Sequence, residues 1–292
     1  MKKISSVLSI LIILGVISWS FSDLKPSLQK EKSLTKEGYS TNNALEHVKN
    51  ISLKQHYVGS KEHKNVQKYI AEELNKMGLE TEIQVQTAVN KKWFAATTVQ
   101  NIIAKIKGSE NGKALMLLSH YDSNPHSSLG ASDAGSGVAT ILEGVRAFLS
   151  KNKTPKNDII ILISDAEELG LLGAQAFVDL HPWAKEIGLV LNFEARGSGG
   201  PSYMLMETNG KNSKLLSEFL AAKPNFPAAN SLMYSIYKKL PNDTDLTVFR
   251  ESGNINGFNF AFIGDHFDYH TAQDSYERLD RETLLQQADY LT

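Results

Sequence analysis

Apolar and polar positions along this chain follow two different periods, which alternate from one segment to the next. Residues 159–163 form a continuous apolar run, which is typical of a strand buried on both faces of a parallel sheet. Residues 62–77 instead have apolar side chains three and four positions apart, which predicts a helix. Ser60 is a suitable N-cap for that helix, and Gly78 is a suitable residue to end it.

The same patterns predict the elements of the remaining chain. Strands are predicted at 79–89, 99–106, 114–119, 188–193, 203–207 and 258–263, and helices at 44–51, 133–149, 173–180, 211–222 and 282–292. Strands that alternate with helices indicate a single α/β domain with a largely parallel central sheet flanked by helices. The last helical pattern has no stop signal, so we expect the protein to continue past Thr292.

The N-terminal segment differs from the rest. Lys2 and Lys3 precede an apolar stretch over residues 4–21, which is about long enough to span a bilayer. We expect residues 1–22 to form a signal anchor or a signal peptide, residues 23–41 a polar tether and residues 42–292 the folded domain. The two lysines predict a cytoplasmic N-terminus, which places the domain outside the cytoplasm, or in secreted form if the segment is cleaved.

Composition narrows the chemistry. The formal net charge of −1 gives no reason to expect nucleic acid as a partner. The chain has no cysteine, so disulfides, thiolate metal sites and a cysteine nucleophile are excluded. A metal site here must use His, Asp and Glu, a ligand set that suits zinc, manganese or cobalt in a catalytic centre.

Ligand-type residues follow several of the predicted strands. Because the carboxyl ends of parallel strands meet at one edge of a sheet, we expect these residues to converge there. One acid or histidine on a loop is more often just solvated, but a repeated pattern of apolar strand followed by such a residue is harder to dismiss. The residues are His120, Asp122, Asp133, Glu167, Glu168, Glu194 and His270.

The segments around these residues resemble the M28 family of zinc aminopeptidases and carboxypeptidases, especially its membrane-bound branch from the endoplasmic reticulum and vacuole. The resemblance spans residues 58–280 and rests on six stretches in the same order. They are SHYDS, GASDAGSG, SDAEELGLLGA, LNFEARGSGG, NDTDLTVFRESG and YHTAQDS. It implies a zinc-exopeptidase fold of the phosphorylase/hydrolase-like type and peptides as substrates.

Carried over position by position, the resemblance implies a role for each residue. Asp133 would bridge two zinc ions; His120 and Glu194 would complete one ligand set, and Glu168 and His270 the other. Glu167 matches the general base, Asp122 the acid behind the first histidine, and Tyr269 a tyrosine that hydrogen-bonds the developing oxyanion. Most soluble members have Asp where this chain has Glu194, whereas the membrane-bound branch resembles this chain at that position, so Glu194 is kept as a ligand.

The chemistry supports these roles independently of the resemblance. Two cations about 3.5–4 Å apart need a shared carboxylate, and coordination lowers the pKa of water to about 7, so that hydroxide attacks the substrate. Glu167 would move the proton to the leaving amine. We therefore expect an extracytoplasmic, membrane-anchored aminopeptidase. The alternatives are a single-zinc acyltransferase similar to glutaminyl cyclases and a non-catalytic, receptor-like ectodomain.

Other polar residues carry weaker signals. Ser136 lacks the glycine two residues before it that a serine-hydrolase elbow needs, and residues 197–201 lack the spacing of a phosphate loop. Arg196 could meet a substrate carboxylate or pair with a nearby acid, and Asp243 and Asp245 are expected to cap a helix and support the site. His266, close to His270, is expected to have a structural role. No role is expected for the remaining histidines: His126 lies in a polar loop, and the others lie in or beside predicted surface helices, namely His47, His56, His63 and His181.

Overall fold

A computed structural model describes residues 2–23, 38–240 and 243–292 of the chain. Helix α1 (Lys2–Asp23) contains the span Ile4–Ser22, whose 19 residues are long and apolar enough to cross a membrane and have no part buried in the protein. Most of the predicted tether, residues 24–37, lies outside the described residues. Tyr39 and Ser40, at its end, already belong to the folded part, because Tyr39 is buried and Ser40 caps the next helix.

Seven strands form one sheet in the order β1-β2-β4-β3-β5-β7-β6. The four central strands, β4, β3, β5 and β7, run parallel, and β1, β2 and β6 complete the sheet as antiparallel edges. The parallel sheet predicted from the sequence thus corresponds to the four central strands of the observed sheet. The strands are β1 (Thr81–Asn90), β2 (Ala95–Ile106), β3 (Ala114–His120), β4 (Ile159–Ser164), β5 (Ile187–Ala195), β6 (Gly199–Glu207) and β7 (Gly257–Gly264).

Helices cover both faces of the sheet, because successive residues of the central strands point to opposite sides. In β4, Ile161 and Ile163 pack in the cluster formed with α3, α4 and α6, whereas Ile160 and Leu162 pack in the cluster formed with α5 and α8. The helices are α2 (Thr41–Ile51), α3 (Lys61–Lys76), α4 (Gly135–Ser150), α5 (Leu172–Leu180), α6 (Ser213–Ala222), α7 (Ser231–Tyr237), α8 (Asp245–Glu251) and α9 (Arg281–Asp289).

Predicted and observed boundaries agree within a few residues for the core elements. Ser60 caps α3 by accepting the backbone N–H of His63, and Gly78 follows that helix with φ +84°. Strand β6 begins at Gly199, four residues before the predicted start at residue 203, so part of the segment 197–201 belongs to the sheet. No ranges were predicted for the short helices α7 and α8, although the expected cap at Asp243 and Asp245 pointed to α8. At seven residues each, these helices show too few turns for a clear period.

Helix α4 lies close against the sheet because its first turn carries glycines. A Cβ atom at Gly137 would lie 2.3 Å from the carbonyl oxygen of Phe193 in β5. Only glycine allows this approach, which brings the start of α4, and Asp133 just before it, over the end of the sheet.

Four histidines expected beside surface helices are buried, so that expectation was wrong. His47, His56, His63 and His181 each have less than a tenth of their surface exposed. Two of them have clear partners: His47 Nδ1 lies 2.7 Å from the hydroxyl of Tyr69, and His63 Nε2 lies 2.8 Å from Oδ1 of Asp165. Both lie on the inner faces of amphipathic helices, where a polar ring is tolerated because it has a partner.

Candidate active site

The predicted site residues meet at the carboxyl edge of the four parallel strands. His120 is the last residue of β3, and Glu194 is the last but one of β5. Glu167 and Glu168 lie in the turn after β4, and His270 lies in the turn after β7. The parallel arrangement thus places side chains from distant parts of the sequence in one place, as expected for this sheet type.

Asp133 lies between two groups of ligand-type side chains. Its Oδ1 is 3.2 Å from Nε2 of His120, and its Oδ2 is 3.2 Å from Nε2 of His270. His120 Nε2 is also 3.7 Å from Oε2 of Glu194, and His270 Nε2 is 3.1 Å from Oε2 of Glu168. Two sets of three groups that could each hold a metal ion therefore share the Asp133 carboxylate.

A buried acid that the sequence interpretation missed holds Asp133 in place. The Asp274 carboxylate accepts the backbone N–H of Ser132 at 2.7 Å and that of Asp133 at 3.3 Å. Burial, together with the charge of Asp133, raises the pKa of Asp274 to about 6. Asp274 lies four residues after His270 within the stretch YHTAQDS, and this proximity is the signal from which its role at the site could have been predicted.

Asp122 supports both sides of the site. Its main-chain carbonyl oxygen lies 3.0 Å from Nδ1 of His120, while its carboxylate lies 3.5 Å from the same nitrogen. The carboxylate also accepts the backbone N–H groups of Glu167 at 3.1 Å and Glu168 at 3.2 Å. Asp122 therefore fixes the turn that carries the two glutamates as well as the ring of His120.

Asn124 is a second residue that the sequence interpretation missed. Its Nδ2 donates to Oε2 of Glu168 at 2.8 Å and lies 3.1 Å from Nδ1 of His270. The side chain therefore orients one acid and one imidazole of the same group. A single Asn after SHYDS gives no periodic or spacing signal, so only the fold reveals it.

Burial dominates the electrostatics of the two glutamates. It raises the pKa of Glu167 well above its ordinary value, and the charges of Glu194 and Glu168 act in the same direction. Burial and the charge of Asp133 raise the pKa of Glu168 to about 7. Several carboxylates packed so closely, with no cation beside them, disfavour ionisation, and a bound divalent cation would reverse this.

The two histidines compensate in the opposite sense. Burial alone would lower the pKa of His270, but hydrogen bonds to Asp133 and Glu168 raise it to about 10. For His120, burial is likewise outweighed, by the charge of Glu194 and by hydrogen bonds to acids, so that its pKa is also raised. The acids around each ring thus favour its cationic form, and the same acids would favour a bound metal cation.

The donor set fits divalent metal ions. Among the described residues, Oε1 of Glu168 and Nε2 of His270 are buried without a hydrogen-bond partner. Nε2 of His270 nevertheless lies within 3.2 Å of two carboxylates. Imidazole nitrogens and carboxylate oxygens that converge in this way, with no thiolate, match the ligand preferences of zinc.

Two cavities adjoin these groups and share Glu167, Asp243 and Tyr269. One is an open cleft of about 310 Å³ on the side of Glu168 and His270. The other is a smaller and more enclosed pocket of about 70 Å³ on the side of Asp133 and Glu194. Its inner wall is apolar and includes Leu205, Met233, Ile236, Leu240, Ala261 and Ile263.

Tyr269 lies at the junction of the cavities, and its ring stacks on His270 with centroids 3.7 Å apart. The guanidinium carbon of Arg196 lies 5.1 Å from the centre of the Tyr269 ring. No acid lies within ion-pair distance of Arg196 in the described part of the chain. Of the two sequence-based options for this arginine, pairing with a neighbouring acid is therefore not what the described residues show.

The other polar residues considered in the sequence analysis have different environments in the structure. Asp243 pairs with Lys92 at 3.1 Å, and buried Asp245 begins α8 and accepts the hydroxyl of Ser164. Thr244, not an aspartate, is the N-cap of α8. His126 is exposed, as expected. Ser136 donates to the carbonyl of Ser132 and is buried, consistent with rejecting it as a nucleophile.

Solved structures with this fold include enzymes of more than one kind. A zinc-dependent exopeptidase from Parabacteroides distasonis superposes with a TM-score of 0.68 at 22% identity, covering 86% of this chain and 96% of that one. A glutaminyl cyclase from Porphyromonas gingivalis gives a TM-score of 0.70 at 19% identity, with the same coverage. These similarities establish the fold shared by the chains.

Sequence relatives include membrane proteins of larger size. A vacuolar membrane protease of Candida albicans is 30% identical over 263 residues, which cover 89% of this chain and 30% of that one. A putative endoplasmic reticulum metallopeptidase of Caenorhabditis elegans is 34% identical over 190 residues, which cover 64% and 21% of the two chains. The chain thus spans less than a third of the length of these relatives. The model of peptidase family M28 matches residues 101–292, and the chain therefore belongs to that family.

Proposed function

We propose that this protein is a membrane-anchored exopeptidase that removes the N-terminal residue of peptides with the help of two zinc ions. The observation that carries the proposal is the position of Asp133, whose two carboxylate oxygens each face a separate histidine and acid. His120 and Glu194 would hold one ion, and Glu168 and His270 the other. A metal ion supplies a Lewis acid and makes water a stronger nucleophile at neutral pH.

The residues around the ions have separable tasks. Glu167 lines both cavities and lies beside a ligand without belonging to either metal group. It would take the proton from the attacking water and deliver it to the leaving amine. Tyr269, at the junction of the cavities, would donate its hydroxyl to the oxygen on which negative charge develops.

The shape of the site suits an exopeptidase. The enclosed pocket accepts one side chain and then ends against an apolar wall, whereas the cleft opens to solvent. A peptide would place its terminal residue in the pocket and the rest of its chain in the cleft. Four carboxylates line the pocket, from Asp133, Glu167, Glu194 and Asp243, and Arg196 lines it as well. Asp133 and Glu194 would bind metal, so Glu167 and Asp243 are the acids that would attract a terminal ammonium group.

Metal analysis and a substrate panel test the proposal together. We expect about two zinc ions per chain and hydrolysis of aminoacyl amides that a chelator abolishes and added zinc restores. His270→Ala should lose one ion, and Asp133→Ala should weaken the binding of both. His126→Ala, which removes an exposed histidine outside both groups, is the matched control and should change neither quantity.

Two results would contradict the proposal. Active protein with one tightly held zinc ion, acting on N-terminal glutaminyl peptides without hydrolysing aminoacyl amides, would indicate the acyltransferase reaction. Metal-free protein that binds peptides and hydrolyses none of them would indicate a non-catalytic ectodomain.

A further inference from the structure

The tip of the β1–β2 hairpin, residues 91–94, is docked beside the catalytic turn. Asn90 ends β1, and its Oδ1 accepts the backbone N–H of Lys92 at 2.9 Å and that of Trp93 at 3.2 Å. Its Nδ2 donates to the carbonyl oxygen of Gly170 at 2.8 Å. One side chain thus shapes the tip and ties it to the turn that carries Glu167.

Trp93 packs directly on the backbone of that turn. Gly170 has φ +105°, and a Cβ atom there would lie 3.0 Å from Cδ1 of Trp93. Trp93 is 48% exposed and lines the open cleft together with Glu168 and His270. The neighbouring Phe94 is 96% exposed and lines neither of the two cavities, so the two aromatic residues of the tip have different surroundings.

An ion pair joins the tip to another wall of the cleft. Lys92 Nζ lies 3.1 Å from Oδ2 of Asp243 and 5.4 Å from the centre of the Trp93 ring. Asp243 itself lines both cavities. Both charged groups are exposed to solvent, and such pairs add little stability. The contacts of Asn90 and Trp93 with Gly170 therefore position the indole at the edge of the cleft, and the ion pair adds only weakly to them.

We propose that Trp93 is a specificity-determining residue, and that its indole contacts the residue on the far side of the scissile bond and favours an apolar or aromatic side chain there. The proposal rests on the proposed function, which places the terminal residue in the enclosed pocket and the next residue in the cleft. A half-exposed indole that forms one wall of a polar cleft offers a face on which such a side chain loses its contact with water.

The test compares kcat/KM for Leu-Phe-NH2 and Leu-Gly-NH2, which differ only in the second residue. Wild-type protein should prefer Leu-Phe-NH2, and Trp93→Ala should reduce that preference about tenfold, in line with the loss of one aromatic contact. Trp93→Phe should retain most of it. Phe94→Ala, which changes the adjacent residue of the same tip, should leave the preference at its wild-type value.

Three results in the same experiment would overturn the proposal. The first is an equal loss of kcat/KM for both peptides in Trp93→Ala, which would mean that the indole only supports the turn at Gly170. The second is an unchanged preference in Trp93→Ala. The third is a larger effect of Phe94→Ala than of Trp93→Ala.

A binding measurement separates this proposal from the proposed function. In a Glu167→Gln chain that also carries Trp19→Phe and Trp183→Phe, Trp93 is the one tryptophan that remains, so the emission reports on it alone. Its emission should shift on addition of Leu-Phe-NH2 and much less with Leu-Gly-NH2. If wild-type protein hydrolyses neither peptide, the proposed reaction is wrong, and this emission still decides whether Trp93 contacts the second residue. No shift with either peptide would reject the contact.

Discussion

At the scale of single residues, the neighbours Glu167 and Glu168 allow the proposed proton transfer to be tested apart from the proposed metal binding. Glu168 lies 3.1 Å from Nε2 of His270 and accepts from Asn124, whereas Glu167 belongs to neither metal group and lines both cavities. Glu167→Gln keeps the size of the side chain but removes the base. We expect turnover to fall by about 10²–10⁴-fold, because general acid–base catalysis is typically worth that much.

The measurements are turnover on an aminoacyl amide, zinc content and melting temperature. For Glu167→Gln, the last two should stay close to wild type. Glu168→Gln is the matched comparison and should lose one metal ion together with some stability. Near-normal turnover in Glu167→Gln would show that another group moves the proton.

The sequence predicted those site residues that follow apolar strands, because the parallel sheet dictates where such residues meet. It did not predict Asn124, Asp274 or Trp93. Each of these acts through contacts between distant segments: Asn124 with His270, Asp274 with the backbone before α4, and Trp93 with Gly170. Such contacts leave no periodic signal in a sequence.

At the scale of elements, the sequence predicted the central strands of the sheet better than its edges and the short helices around it. Mainly apolar runs identified β3, β4, β5 and β7, since strands buried on both faces carry few polar side chains; the exceptions include Asn192 in β5 and Asn259 in β7. The antiparallel pairing at both edges of the sheet was not predicted, because alternation does not reveal a strand's direction. Nor were residue ranges predicted for the short helices α7 and α8, which bring apolar walls and Asp245 to the site.

His56 joins the segment between α2 and α3 to the loop that follows β3, and its burial makes the stability of the fold sensitive to pH. Its backbone N–H donates to the hydroxyl of Ser123 at 3.0 Å, and its ring packs against Gly130, within the loop that follows β3. Burial lowers the pKa of His56 from 6.5 to about 4, and the nearby charge of Asp122 opposes this only in part. The buried ring therefore remains neutral where a histidine in the unfolded chain accepts a proton.

The difference between the pKa of His56 in the folded chain and in the unfolded chain determines how the free energy of unfolding changes with pH. Below about pH 6.5 the unfolded chain binds the proton first, so the free energy of unfolding falls as pH drops from 6.5 towards 4, by about 2 kcal/mol at pH 5 from this group alone. Urea unfolding of the metal-free chain in detergent at pH 7 and pH 5 measures the loss. The loss should be smaller by about this amount in His56→Gln. His126→Gln, at an exposed position, should lose as much as wild type. Equal losses in all three proteins would contradict the burial argument.

At the scale of the whole molecule, the sheet domain and the N-terminal helix are separate structural units. The span Ile4–Ser22 has 19 residues, which at 1.5 Å per residue is about 30 Å, the thickness of a bilayer's hydrocarbon core. None of it is buried in the protein. Lys2 and Lys3 precede it, which favours an orientation with the sheet outside the cytoplasm.

We therefore predict that the span remains attached as an anchor. The mature protein should begin at or near Met1, and it should stay with the membrane pellet in high salt and in carbonate. Replacing Leu11 and Leu14 with arginine should release much of it, because each arginine near the centre of a span costs about 3 kcal/mol of insertion free energy. Leu53→Arg, at a similarly exposed leucine in the folded part, should leave the protein in the pellet.

The N-terminal sequence of the mature chain distinguishes an anchor from a cleaved signal peptide. A soluble chain that starts near Asp23 would identify the span as a signal peptide, and the sheet would then act as a free enzyme. If the full chain stays in the pellet, the active-site cleft is held within a tether's reach of the bilayer. Peptides released at or near that surface would then reach the cleft at a higher effective concentration than peptides in the bulk solvent.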